Sequence, residues 1–263
     1  IALSLALARP QLSNRWQSES TEGIDIMMAL DISGTMQAED LKPNRLEAAK
    51  DVAIRFISGR ETDNIGLVIF AGESFTQCPL TTDHAVLTNL FNDIQTGMLE
   101  DGTAIGSGLA TAISRIKESK AKSKVIILLT DGENNRGSIT PLKAAEIAQT
   151  FGVRVYTIGV GTKGTAPFPV QTAFGIQYQE MEVNIDENLL TQIADMTGGK
   201  YFRATNKSSL QSIYEEIDQL EKTIMDVREY TKRTEEYLPY ALACALLLLL
   251  EMLLRNTILR TLP

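Results

Sequence analysis

The stretch that most constrains the fold is Ile24 to Met36, IDIMMALDISGTM. Ile24 to Leu30 is short and almost wholly apolar, the pattern of a strand buried on both faces of a parallel sheet. It stops abruptly in Asp31, Ser33 and Thr35, with Gly34 between the two hydroxyls. A buried strand that ends this way brings three oxygen-bearing side chains to its carboxyl end, which in open α/β sheets is where ligands bind. Asp, Ser and Thr after a strand also serve as ordinary turn and N-cap residues.

Two later segments turn the reading from a turn to a site. Val125 to Leu129 is a second apolar run and ends in Thr130-Asp131-Gly132. Between the two runs, Asp101-Gly102-Thr103-Ala104-Ile105-Gly106 is a polar loop opening a helix of apolar period. Two strand ends thus each present an aspartate, and a separate loop presents a threonine.

This constellation resembles the metal-ion-dependent adhesion site of von Willebrand factor A (VWA) domains. That family's pattern is Asp-x-Ser-x-Ser/Thr, then a distant Thr, then a distant Asp after a buried strand. Asp31, Ser33, Thr35, Thr103 and Asp131 fill every position. The resemblance implies a Rossmann-like fold and a divalent cation, Mg²⁺ or alternatively Mn²⁺ or Ca²⁺. It implies that Ser33 and Thr35 bind the ion directly, Thr103 and Asp131 directly or through water, and Asp31 largely through water. Hydroxyls and carboxylates suit a hard cation that prefers oxygen and keeps some waters. An Asp or Glu of a protein partner could then take the open coordination position.

The length of 263 residues allows one α/β domain with a sizeable core, plus appendages. Lys and Arg number 25 against 33 Asp and Glu, and this acidity argues against a nucleic-acid surface. Cys78 falls in the globular part and Cys244 in an apolar tail, so a disulfide framework is not implied. The only histidine, His84, has no neighbours in sequence that would complete a triad or a metal site.

Along the chain, strands are predicted at Ile65 to Phe70, at the Pro-bearing edge segment Phe75 to Leu80, and at Val125 to Thr130, Arg154 to Val160 and Tyr201 to Ala204. Helices are predicted over Arg45 to Ser58, from the cap Asp83 to about Ile94, over Thr103 to Lys117, from Thr140-Pro141 to about Phe151, and after the cap Asp186. With the opening strand this gives an α/β fold: a doubly wound, mostly parallel six-stranded sheet with one antiparallel edge strand, flanked by helices. Gly161 to Asn184 breaks the alternation and reads as a loop with a small hairpin around Ile176 to Gln179.

The ends read differently. Residues 1–9 resemble the end of a truncated transmembrane helix, in a chain that starts with Ile rather than Met, and 10–22 a linker. The VWA domain is assigned to 23–220. A long helix follows, with Leu210, Ile213, Ile217, Leu220, Ile224 and Val227 at coiled-coil spacing. Its charged second half, 221–236, reads as a stalk. Residues 237–254 read as a terminal transmembrane helix, with Ala241 to Leu250 apolar throughout. Arg255 and Arg260 in the tail 255–263 assign that tail to the cytoplasm and the domain to the periplasmic side of the inner membrane.

Further stretches resemble the Bat group of bacterial aerotolerance-operon proteins. They are Ala8-Arg9-Pro10-Gln11, Asp40-Leu41-Lys42-Pro43-Asn44-Arg45-Leu46, Gly66 to Gly72 and Thr197 to Ala204. That resemblance implies a membrane-anchored domain working beside a related VWA membrane protein, a tetratricopeptide-repeat (TPR) protein and a MoxR-type AAA+ ATPase. An enzyme is disfavoured. Ser33 stands where a haloacid-dehalogenase-type phosphatase needs a second Asp, and no Gly-x-x-x-x-Gly-Lys loop occurs. A structural role, in which the terminal helices assemble an oligomer and the metal stabilises the fold, is the remaining alternative.

Overall fold

Strand β1 (Asp25–Asp31) is buried along its whole length, and a 3₁₀ turn at Gly34–Gln37 follows it. The computed structural model describes residues 23–60, 62–172, 175–230 and 238–257. The expectations for 1–22, and those parts of the stalk and tail at 231–237 and 258–263, lie outside the described residues.

Asn44 caps helix α1 (Arg45–Ser58) by accepting the Glu47 N–H. The chain then runs through β2 (Asn64–Phe70), β3 (Ser74–Thr81), α2 (His84–Asn92), α3 (Ile105–Ile116) and β4 (Lys124–Thr130). Thr140 caps α4 (Pro141–Thr150), and β5 (Arg154–Val160) follows. A hairpin, β6 (Gly164–Thr172) and β7 (Gly175–Val183), precedes α5 (Glu187–Thr197), which Asp186 caps, and then β8 (Tyr201–Ala204). Two helices end the chain, α6 (Lys207–Tyr230) and α7 (Leu238–Thr257).

The main sheet has the order β3-β2-β1-β4-β5-β8, and every pair is parallel except β2 with β3 at the edge. The expected mixed six-stranded sheet is therefore present. The β1–β4 register pairs Leu30 with Leu129, so both strands end level and Asp31 and Asp131 leave the same edge. Alternation along β1 sends Met27 and Ala29 to one face. There they meet Phe70, Ile126 and Val155 of neighbouring strands, Ile105 and Leu109 of α3, Ala144 and Ala148 of α4, and Leu190 of α5. On α1 and α6, Phe56 and Tyr214 hold their rings 4.9 Å apart.

Local differences from the sequence reading have clear causes. The helix after the threonine loop starts at Ile105, not Thr103. The Thr103 carbonyl accepts the Asn135 and Arg136 N–H groups, and its own N–H goes to Asn135 Oδ1, which fixes it as loop. The segment expected as a loop with a small hairpin is two paired nine-residue strands. Pro167 and Pro169 are tolerated because a two-stranded sheet has only edges.

Gly106 shows how tightly the first turn of α3 is packed: a β-carbon there would meet the Ile139 carbonyl oxygen at 1.9 Å. Gly106→Ala is expected to cost about 1–3 kcal/mol through overpacking, read from the midpoint of urea unfolding.

The chain divides into two units, 21–222 and the remainder. Glu221 closes the first. It is almost fully buried and accepts from Arg154 Nε (2.8 Å) and Nη2 (2.5 Å), Tyr156 Oη (2.7 Å) and Ser123 Oγ (2.7 Å). Leu210, Ile213 and Ile217 are buried, so the first half of the expected stripe packs inside the domain.

In the second unit, Leu238–Thr257, which covers most of the segment expected as a terminal span, forms helix α7. Among the described residues no helix is long and apolar enough to cross a membrane.

Candidate metal centre

Five oxygen-bearing side chains were expected to converge, and four are joined by direct contacts. Asp31 is the last residue of β1 and has no solvent exposure. Its Oδ1 accepts the Ser33 N–H at 2.9 Å, and its Oδ2 accepts the Thr130 hydroxyl at 2.6 Å. The Ser33 and Thr35 hydroxyl oxygens lie 3.0 Å apart. The Thr35 hydroxyl donates to Asp131 Oδ1 at 2.8 Å. Thr103 is buried, with its Oγ1 3.4 Å from where a β-carbon on Gly132 would stand, beside Asp131.

The folded chain binds these groups at an electrostatic cost. Burial, and then the charge of Asp131, push the Asp31 carboxyl from 3.8 up to about 7, against the hydrogen bonds from Thr130 and Ser33. Burial also raises Asp131, despite the opposing Arg45 guanidinium and the Thr35 hydroxyl. Two carboxylates held this way favour a cation between them.

The spacing suits a small one. Oxygens on adjacent corners of an octahedron with metal–oxygen bonds of about 2.1 Å lie about 3 Å apart. The Ser33–Thr35 and Thr35–Asp131 separations of 3.0 and 2.8 Å match two such edges. The residues present therefore fit a hard divalent ion. Among the described residues no three His, Cys, Asp or Glu side chains cluster as a metal site, so hydroxyls must supply the rest of this one.

Three neighbours were not singled out from the sequence. Thr130 anchors Asp31, and Asp101 Oδ1 accepts the Gly34 N–H at 3.0 Å. Arg45 donates from Nη1 to Asp131 Oδ2 at 2.8 Å, and from Nε and Nη2 to the two oxygens of Asp40 at 2.7 Å each. Asp40 and Arg45 both lie in the DLKPNR segment, but opposite charges five residues apart carry no sign of being buried.

A model of the von Willebrand factor type A domain matches residues 25–216. The chain belongs to the von Willebrand factor type A domain family. VWA domains are in general metal-dependent protein-interaction modules that bind a divalent cation at this motif. An uncharacterized protein of Borreliella burgdorferi is 33% identical over 223 residues, covering 84% of this chain and 65% of that protein. The chain thus spans just under two thirds of that relative's length.

Two solved structures extend the Bat resemblance. An aerotolerance-related membrane protein from Bacteroides fragilis is 31% identical, with a TM-score of 0.66 over 75% of this chain and 98% of that one. BatB from Bacteroides thetaiotaomicron is 31% identical, with a TM-score of 0.65 over 76% of this chain and all of that one.

Proposed function

We propose that this VWA domain is a membrane-anchored, metal-dependent protein-binding module that captures an acidic side chain of a protein partner. Ser33 and Thr35 hold a divalent cation directly, Thr103 and Asp131 directly or through water, and Asp31 largely through water. Mg²⁺ suits the site best, with Mn²⁺ or Ca²⁺ as alternatives. The observation that carries this reading is the pair of oxygen separations near 3 Å that link Ser33, Thr35 and Asp131. Asp31 and Asp131 balance the charge of a divalent ion, and its open position is suited to an oxygen of a partner's carboxylate.

The Bat relationship supports a place in a stress or aerotolerance assembly with a related VWA membrane protein, a TPR protein and a MoxR-type ATPase. Membrane anchoring through α7 is supported by its 20 residues, about 30 Å of helix, and by Leu246 to Leu250, all more than half exposed. Five consecutive leucines point round every side of a helix, which favours a lipid surrounding over one packed face. Arg255 and Arg260 support a cytoplasmic tail with the domain on the periplasmic side.

The reading is tested by capture from solubilised membranes with this chain as bait. Retention of a protein partner is expected in Mg²⁺ and its loss in EDTA, or when Asp31→Ala is the bait. A partner retained equally in all three conditions overturns metal-dependent capture.

A further inference from the structure

Arg45 is an unusual neighbour for a cation site. It is 3% exposed and bonds one oxygen of Asp131 and both oxygens of Asp40. Its position is over-determined. Asp40 also accepts the Thr162 N–H at 2.8 Å and the Thr162 hydroxyl at 3.2 Å. The guanidinium lies against Gly161, where a β-carbon would come within 2.7 Å of Nη2. Asp40 cancels the charge of Arg45, so the guanidinium does not set a bare positive charge beside the cation. What remains is geometric: one oxygen of Asp131 is held back, and the other faces Thr35.

We infer that Arg45 is a positioning residue that sets which cation the site accepts, by holding Asp131 Oδ2 and so restricting Asp131 to one-oxygen coordination. The inference rests on the metal reading above and deepens it. Ca²⁺ takes six to eight oxygens at about 2.3–2.6 Å and readily accepts both oxygens of one carboxylate. Mg²⁺ demands an octahedron at about 2.0–2.1 Å, in which each carboxylate gives one oxygen. A guanidinium fixed on Oδ2 therefore selects for the smaller ion. Removing it frees Oδ2 to join Oδ1, which helps Ca²⁺ and not Mg²⁺. Lysine is a poor replacement, because a single ammonium cannot bridge two carboxylates with the geometry of the planar fork.

The test is titration calorimetry of the full chain in detergent with Mg²⁺ and Ca²⁺ separately, for wild type, Arg45→Met, Arg45→Lys and Asp40→Asn. Wild type is expected to prefer Mg²⁺. Arg45→Met is expected to weaken Mg²⁺ about 10–100-fold, the scale for a residue that orients a metal ligand. Ca²⁺ is expected to weaken much less, so that the preference swings towards Ca²⁺ by about 10-fold or more. Arg45→Lys and Asp40→Asn are expected to swing it the same way by less, and they carry the test if Arg45→Met does not fold. General loosening of the domain would weaken both ions by one factor. Folded variants whose Ca²⁺-to-Mg²⁺ affinity ratio matches that of wild type overturn the role of Arg45 and leave the metal site standing. A wild-type chain that takes up neither ion overturns both.

Discussion

Asp31→Asn is expected to melt above wild type in EDTA and below it in saturating Mg²⁺. Without metal, Asp31 is a fully buried carboxyl beside Asp131, and burial with that like charge pushes it up to about 7. A carboxyl raised in the folded state is easier to bury protonated, so its ionisation opposes folding. The metal-free wild-type chain should lose stability as pH rises from about 4 towards 7, the interval between its ordinary value of 3.8 and the folded one. The asparagine has no charge to bury and should lack that slope. It can keep the Ser33 N–H through its oxygen, and the Thr130 hydroxyl can rotate to accept its amide. With Mg²⁺ at about 100 times its dissociation constant, wild type gains about 2.7 kcal/mol, or roughly 5–10 °C in melting temperature. The variant gains none of this. Differential scanning fluorimetry in the two buffers across pH reads the crossing, and two parallel curves would refute it.

The second large effect is structural. Glu221→Ala removes the acceptor shared by Arg154, Tyr156 and Ser123, and leaves a nearly buried guanidinium without its counter-ion. Breaking such a pair from one side costs about 3–5 kcal/mol. For a domain of this size that is a fall of roughly 6–20 °C. The acid limb of stability should change as well. Burial works to raise the Glu221 carboxyl, but the hydrogen bonds from Arg154, Tyr156 and Ser123 outweigh it, so it lies below the ordinary 4.5. Its contribution is then complete above about pH 4.5 and is lost as pH falls through the depressed value. Chemical denaturation at pH 7 and pH 3 should show a smaller gap between variant and wild type in acid. An equal gap at both would show that the carboxylate charge is not what holds the clasp.

The sheet was legible because its central strands carry unbroken apolar runs that only a two-sided burial explains, and because Asp83, Thr140 and Asp186 cap their helices through local contacts. The site motif was legible for a related reason. A strand end that swaps Leu30 for Asp31, or Leu129 for Thr130 and Asp131, exchanges hydrocarbon for oxygen at one edge. The hairpin was harder to see. Pro167 and Pro169 read as loop because their tolerance in a free two-stranded ribbon depends on tertiary context. Arg45 was hidden for another reason: its partners Asp40 and Asp131 are 5 and 86 residues away, and no local pattern separates a buried guanidinium from a surface one.

The chain enters the domain at Asp25, the amino end of β1, level with Lys124 at the start of β4. It leaves at Glu221, which is bonded to Ser123 and Arg154, at the starts of β4 and β5. Entry and exit therefore share one rim, and the aspartates stand on the opposite one, about 20 Å away along seven residues of β1. Force applied at either end of the domain therefore acts on the rim away from Asp31, Ser33, Thr35 and Asp131.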